Sequence, residues 1–168
     1  RFGAALERIH RGTDLPLILL CKDAGTLRSA LDSVATQRPL IGPATAETWE
    51  GFAEVAAQKK LPVLVRSDSL EGLAALTRNL NDKGVEDLVL EPIANGWGGV
   101  LTQLVLLRRL SLEKVFRPLG YPTCTTASGE TRNDQSIAAG MAVCRYAGIV
   151  ITDNATPEEI LPILTVRQ

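Results

Sequence analysis

Asp23, Arg66, Glu91 and Asp153 have the side chains that acid–base chemistry uses, and each ends or directly follows a short apolar run. Grouped around one mouth, such residues could transfer protons for a reaction. Thr45, Asn95, Thr125 and Thr126 stand at equivalent places and supply hydroxyl and amide groups for binding a cofactor, with Lys22 and Asp68 completing a polar rim. The same residue types cap helices, and capping is the preferred reading of the rim. Lys22 could form a Schiff base only if it were buried and desolvated.

The stretch Ala94-Asn95-Gly96-Trp97-Gly98-Gly99 places three glycines between a strand-like run and an apolar helical segment. It does not spell the dinucleotide fingerprint, because Leu101 occupies the third glycine's place, and no Lys-Ser or Lys-Thr pair follows to make a phosphate loop. Two readings stay open: a flexible turn with Trp97 partly exposed, or a weak anion site at a helix N-terminus.

The three cysteines, Cys21, Cys124 and Cys144, form no Cys-x-x-Cys pair, so no metal site is expected and the thiols are expected to be buried. His10 is the single histidine, which removes histidine-based catalysis and imidazole ligand sets. Eighteen Lys and Arg balance nineteen Asp and Glu for a net charge of -1, with no basic cluster, which argues against nucleic acid and anionic membrane as partners. The longest apolar runs fall far short of the roughly 20 residues that span a bilayer, and these residues contain no charged-then-apolar leader pattern. A cytoplasmic location is the expectation.

Six runs must position these residues: Leu15 to Cys21, Pro39 to Ala44, Pro62 to Ser67, Asp87 to Pro92, Arg117 to Cys124 and Gly148 to Asp153. Helical spacing follows them, at Leu27, Ala30, Leu31 and Val34, at Trp49, Phe52, Ala53 and Ala56, at Leu73, Leu76 and Leu80, and at Ile137, Met141 and Cys144. Runs that are apolar on nearly every residue predict strands buried on both faces, as in a parallel sheet covered by helices. The fold class expected is therefore α/β, parallel (β/α) repeats in a partial TIM-barrel-like sheet of about six strands. In such folds ligands bind beyond the C-terminal strand ends, where the polar rim lies.

Thr156 followed by Pro157 and Glu159 predicts a capped helix start, and Asp68 with Glu71 predicts another. The polar stretch Thr125 to Ser136, with Glu130, Arg132 and Asp134, reads as a long connection suited to a lid, a docking surface or a solvated loop. A closed barrel of this kind takes eight units and about 250 residues. Residues 1–168 are thus expected to be a single α/β domain cut from a longer multidomain chain, with unpaired sheet edges that favour self-association.

Five stretches together carry a family resemblance: TDLPLILLCKD (Thr13 to Asp23), RPLIGPATAETWEGFAEVAAQKKLPVLVRS (Arg38 to Ser67), GVEDLVLEP (Gly84 to Pro92), FRPLGYPT (Phe116 to Thr123) and PEEILPILTVRQ (Pro157 to Gln168). The chain resembles the central barrel domain of the corrinoid iron–sulfur protein large subunit, the gamma subunit of acetyl-CoA decarbonylase/synthase. That resemblance implies a barrel scaffold in a protein that carries a methyl group from a methyltetrahydrofolate or methyltetrahydropterin donor to acetyl-CoA synthase. It implies a corrinoid and a 4Fe–4S cluster in the parent protein and none in this segment. Its implied partners are the small subunit, the methyltransferase and acetyl-CoA synthase. No catalytic or cofactor residue of the family transfers to a position of this chain, so the segment is expected to be non-catalytic. The alternative is a stand-alone TIM-barrel-like enzyme, a lyase or a pterin-dependent methyltransferase, acting through the strand-end residues.

Overall fold

The computed structural model describes residues 2–31, 38–153 and 155–167. Strands and helices alternate: α1 (Phe2–Gly12), β1 (Ile18–Leu20), α2 (Ala24–Leu31), β2 (Leu40–Ala44), α3 (Trp49–Lys59), β3 (Val63–Ser67), α4 (Leu70–Asp82), β4 (Leu88–Pro92), α5 (Gly96–Glu113), β5 (Cys124–Ala127), α6 (Arg132–Cys144), β6 (Ile149–Thr152) and α7 (Pro157–Arg167). This is the expected α/β succession of parallel repeats.

The first four strands make one sheet in sequence order, and β5 pairs with β6. β1 and β2 run parallel with Leu19 opposite Ile41, and β2 and β3 with Ile41 opposite Val63. The Val63 N–H donates to Asp87 O and the Ile93 N–H to Ser67 O, bonds that advance along both chains together, so β4 is parallel to β3. A parallel bridge joins Leu90 to Thr123, and β5 faces β6 from Cys124 opposite Ile149 to Ala127 opposite Thr152.

The chain forms two compact units, Arg1–Val65 with Ala75–Leu88 and Arg66–Ala74 with Val89–Gln168. In the first, Leu27 and Leu31 of α2, Ile41 of β2, Phe52 and Ala56 of α3, and Val63 and Leu64 of β3 are fully buried or nearly so. In the second, Leu90, Leu104, Leu119 and Cys124 are buried, and Ala127 packs with Ala138 and Ala139 against Trp97, Val150 and Ile163. Strands β2 to β5 are buried along most of their length, as predicted for a two-sided sheet. β1 alternates and β6 is only partly covered; among the described residues each has a strand neighbour on one side alone.

Gly42 shows how closely the strands approach. A Cβ built there would lie 2.7 Å from Leu64 O and 2.8 Å from Leu64 Cβ, so the backbone of β3 occupies the space of a side chain. Gly42→Ala is expected to cost about 1–3 kcal/mol or more, read as a lower urea midpoint; an unchanged midpoint would contradict this packing.

Four expectations need correction. The run Arg117 to Cys124 is not a strand. Arg117–Leu119 forms a single 3-10 turn and β5 begins only at Cys124, because Pro118 and Pro122 lack the N–H that a ladder requires. The stretch Thr125 to Ser136 is not a long loop either. Thr125 and Thr126 lie in β5, Arg132 opens α6, and residues 128–131 alone connect them. Thr131 is the cap, its Oγ1 accepting from the Asp134 N–H at 3.2 Å while Asp134 Oδ2 accepts from the Thr131 N–H at 3.1 Å. The cap of α4 is Ser69, one residue after Asp68, with Oγ accepting from the Gly72 N–H at 3.1 Å.

The last correction concerns the buried face of α6. Ala138, Ala139 and Ala142 pack inward, while Ile137 is 59% and Met141 38% exposed. Close approach of helix to sheet selects the small side chains and turns the large ones outward. The other helical faces stand as expected, except that Trp49 is only partly buried and Val34 lies outside the described residues. Among the described residues no helix is long and apolar enough to cross a membrane.

Candidate functional site

The polar rim separates into caps and one buried network. Asp23 caps α2: its carboxylate accepts from the Thr26 hydroxyl at 2.6 Å, the Thr26 N–H at 2.7 Å and the Gly25 N–H at 3.2 Å. Those bonds, the Thr26 hydroxyl foremost, hold the Asp23 carboxyl below the usual range. Its contribution to stability is in place above the ordinary carboxylate range and is lost as pH falls through the lowered value. Lys22 is exposed, so it lacks the desolvation that a Schiff-base lysine needs. The Thr45 N–H donates to Thr48 Oγ1 at 3.0 Å in the turn before α3, and Thr45 Oγ1 lies 3.0 Å from the same atom.

The network sits where β3, β4 and β5 end. Glu91, 1% exposed, accepts from Arg66 Nε at 2.8 Å and Arg66 Nη2 at 2.8 Å on Oε2, and from Thr126 Oγ1 at 2.6 Å on Oε1. Both oxygens are engaged, and the charge is matched by a guanidinium whose side chain is 29% exposed. The carboxylate's hydrogen bonds are therefore directed at protein groups, two on Oε2 and one on Oε1. The pair joins the ends of β3 and β4, and the Thr126 bond adds the end of β5.

Cys124 lies on the same face of β5 as Thr126, two residues away. Burial foremost, and then the Glu91 charge, push its thiol up to about 12, against the opposing pull of Arg66 and of a backbone bond at Thr125. All three cysteines are free; Cys21 is partly buried and Cys144 exposed, so the expectation of buried thiols holds for Cys124 alone. In mildly alkaline iodoacetamide, mass spectrometry should find Cys144 modified first and Cys124 only as the protein unfolds. Equal labelling rates would contradict the burial.

Asn95 is the N-cap of α5, but its side chain makes no capping bond. Trp97 is partly buried and donates from Nε1 to Ser128 O at 2.8 Å. Asp68 and Asp153 enter through their carbonyls. Gln103 of α5 donates from Nε2 to Asp68 O at 2.7 Å and Ile93 O at 3.2 Å; Gln135 of α6 donates from Nε2 to Asp153 O at 3.1 Å and Ala127 O at 3.4 Å. Each glutamine ties together two successive strand-end loops. Glutamines on amphipathic helices look like ordinary surface residues, and no sequence signal marked them.

A cavity of about 240 Å³ opens at these strand ends, walled by Arg66, Glu91, Gly96, Trp97, Thr125 and Thr126 among others. The structure therefore brings Arg66, Glu91, Thr125 and Thr126 together. Asp23 and Thr45 belong to the other unit, and Asp153 does not line the cavity. Among the described residues no three His, Cys, Asp or Glu side chains group as a metal ion would require. Three cysteines are also one short of the four thiolates of a 4Fe–4S cluster, so these residues do not fit one.

A family model described as the CO dehydrogenase/acetyl-CoA synthase delta subunit matches residues 1–168. The corrinoid/iron–sulfur protein large subunit of Moorella thermoacetica is 32% identical over 167 residues, 99% of this chain and 37% of that protein. The acetyl-CoA decarbonylase/synthase complex subunit gamma of Archaeoglobus fulgidus is 28% identical over 165 residues, 90% of this chain and 35% of that protein. The chain thus spans little more than a third of the relatives it matches. Among solved structures, dihydropteroate synthase from Thermus thermophilus in complex with 4-aminobenzoate superimposes with a TM-score of 0.71 at 18% identity, covering 98% of this chain and 78% of that one. That likeness concerns the fold alone, a TIM-barrel-like arrangement of parallel repeats.

Proposed function

The chain belongs to the CO dehydrogenase/acetyl-CoA synthase delta subunit family, and from that premise we propose that it is a non-catalytic barrel scaffold segment of a corrinoid iron–sulfur protein. The parent protein carries a methyl group between a methyltetrahydrofolate or methyltetrahydropterin methyltransferase and acetyl-CoA synthase. The names of the relatives support the setting. The observation that carries the scaffold role is the bonding of both Glu91 oxygens to Arg66 and Thr126, which uses the best acid–base candidate to tie strand ends together.

The corrinoid and the cluster belong to other parts of the parent protein, and no residue of this chain is assigned to either. The test is spectroscopic. The purified chain, incubated with hydroxocobalamin and passed through gel filtration, should emerge without corrinoid or cluster absorbance. A stoichiometric corrinoid spectrum would overturn the proposal.

The small subunit, the methyltransferase and acetyl-CoA synthase are the partners this role requires. Among the described residues β1 and β6 each have one strand neighbour, and unpaired sheet edges invite pairing with another chain. The isolated chain is expected to self-associate at high concentration, measured by sedimentation velocity; a strict monomer would contradict this.

A further inference from the structure

We propose that the cavity at the N-terminal ends of β5 and β6 docks an acidic protein segment, one apolar side chain of which seats beside Arg108, Tyr121 and Tyr146. This surface lies at the opposite end of the strands from the Arg66–Glu91 network and does not rest on the scaffold reading.

Three observations converge on it. The first is the cavity itself. It measures about 250 Å³ and is walled by Leu107, Arg108 and Leu112 of α5 and by Tyr121, Pro122 and Tyr146, among others, just ahead of the two strands. Arg108 Cζ lies 5.9 Å from the centre of the Tyr146 ring, so cation and ring hold each other in place. Tyrosine and arginine around a pocket are the residues that dominate binding at protein interfaces.

The second is charge. Residues 108–123 and 144–148, which build this end, set Arg108, Arg109, Lys114, Arg117 and Arg145 against Glu113 alone, a net charge of +4 in a chain whose total is -1. All six side chains are exposed. They form no run in the sequence, and the pairing of β5 with β6 brings Arg145 to the others. Lys114 and Arg145 are helix C-caps, where a cation complements the macrodipole. Arg108 and Arg109 precede the last turn of α5 and Arg117 lies in the 3-10 turn, so the macrodipole does not account for them. The surplus selects an acidic partner.

The third is large side chains displayed at a cost to the backbone. Tyr146, at φ 72°, and Val115, at φ 50°, adopt the left-handed conformation that favours glycine, yet their side chains are 50% and 71% exposed. Tyr146 follows the C-cap of α6, the usual place of a glycine, and is fixed there as the Ala147 N–H donates to Ala142 O and the Thr123 hydroxyl to Tyr146 O. A ring held this firmly and half in solvent is preorganised for a contact outside the chain. Exposed Leu112 and Val115 add apolar surface that suits a peptide better than the phosphodiester backbone of a nucleic acid.

The probe is a short fluorescein-labelled peptide of glutamates around one phenylalanine, titrated by fluorescence anisotropy, with the NMR shifts of Tyr121 and Tyr146 reporting where it binds. Saturable one-to-one binding that weakens as salt rises is expected. Replacing the glutamates by glutamine, or the phenylalanine by serine, should weaken it about tenfold or more. Arg108→Glu should do the same. Tyr146→Gly removes the ring and relieves the left-handed backbone, so it should weaken binding about tenfold or more with a melting temperature no lower than the parent's, which separates a lost contact from a lost fold. No saturable binding, equal affinity for either altered peptide, or affinity retained in either variant would overturn the surface. A mixed-sequence single-stranded oligonucleotide that bound more tightly than the peptide and shifted the same tyrosines would make it a nucleic-acid surface and overturn the proposal as well.

Discussion

Glu91→Ala is expected to destabilise the protein by about 3–5 kcal/mol, measured by urea denaturation. The loss comes from what the substitution leaves behind. Arg66, with its side chain 29% exposed, would keep a partly buried charge without its partner, and Thr126 would lose the acceptor at 2.6 Å. Replacing both members of the pair, Glu91→Leu with Arg66→Met, should recover most of the loss, since a buried pair contributes little beyond what apolar packing offers. If the single variant lost less than about 0.5 kcal/mol, the typical effect of an ordinary surface change, the network would not be holding the strand ends.

Phe52→Ala is expected to cost about 3–5 kcal/mol. Phe52 is fully buried on α3 in the first unit, where Ala53, Val55 and Ala56 of the same helix are buried too. Small neighbours on its own helix cannot move in to fill the space, so a cavity would remain. The two losses should add, because the residues lie in different compact units and Phe52 has no part in the Arg66–Glu91–Thr126 network. A double variant far more stable than the sum would mean that the sites are coupled.

Much of the fold was legible because burial on both faces leaves a plain mark. The runs ending in Ala44, Ser67 and Pro92 are apolar on nearly every residue, and each is a strand within a residue or two of the predicted bounds. Asp23 was legible as a cap, since an aspartate ahead of Gly25 and Thr26 meets two free N–H groups at a helix start. The fifth run misled because apolar content outweighed two prolines whose missing N–H groups forbid a ladder. In α6 the 3.6 period was present, but it cannot tell a large-residue face from an alanine face, and packing distance chose the alanines. Thr131 and Asp134 have the spacing of a capping pair, which the polar residues around them obscure.

The site was legible as residue types but not as contacts. Arg66 and Glu91 are 25 residues apart, and their pairing depends on the register of neighbouring strands, which sequence spacing does not specify. The unpaired hydroxyl of Thr125 is likewise a product of side-chain packing that only coordinates display. Asp153 looked equivalent to Glu91 by position, yet the structure uses its carbonyl, as the acceptor of Gln135.

The claim that this segment supports chemistry without performing it is tested most directly by calorimetric titration of the chain with methyltetrahydrofolate and a methyltetrahydropterin. No saturable heat is predicted with either, because the strand-end carboxylate that would anchor such a ring is already bonded through both oxygens. Tight, one-to-one binding that disappears in the Glu91→Leu, Arg66→Met variant would contradict the account and make the strand ends an active site.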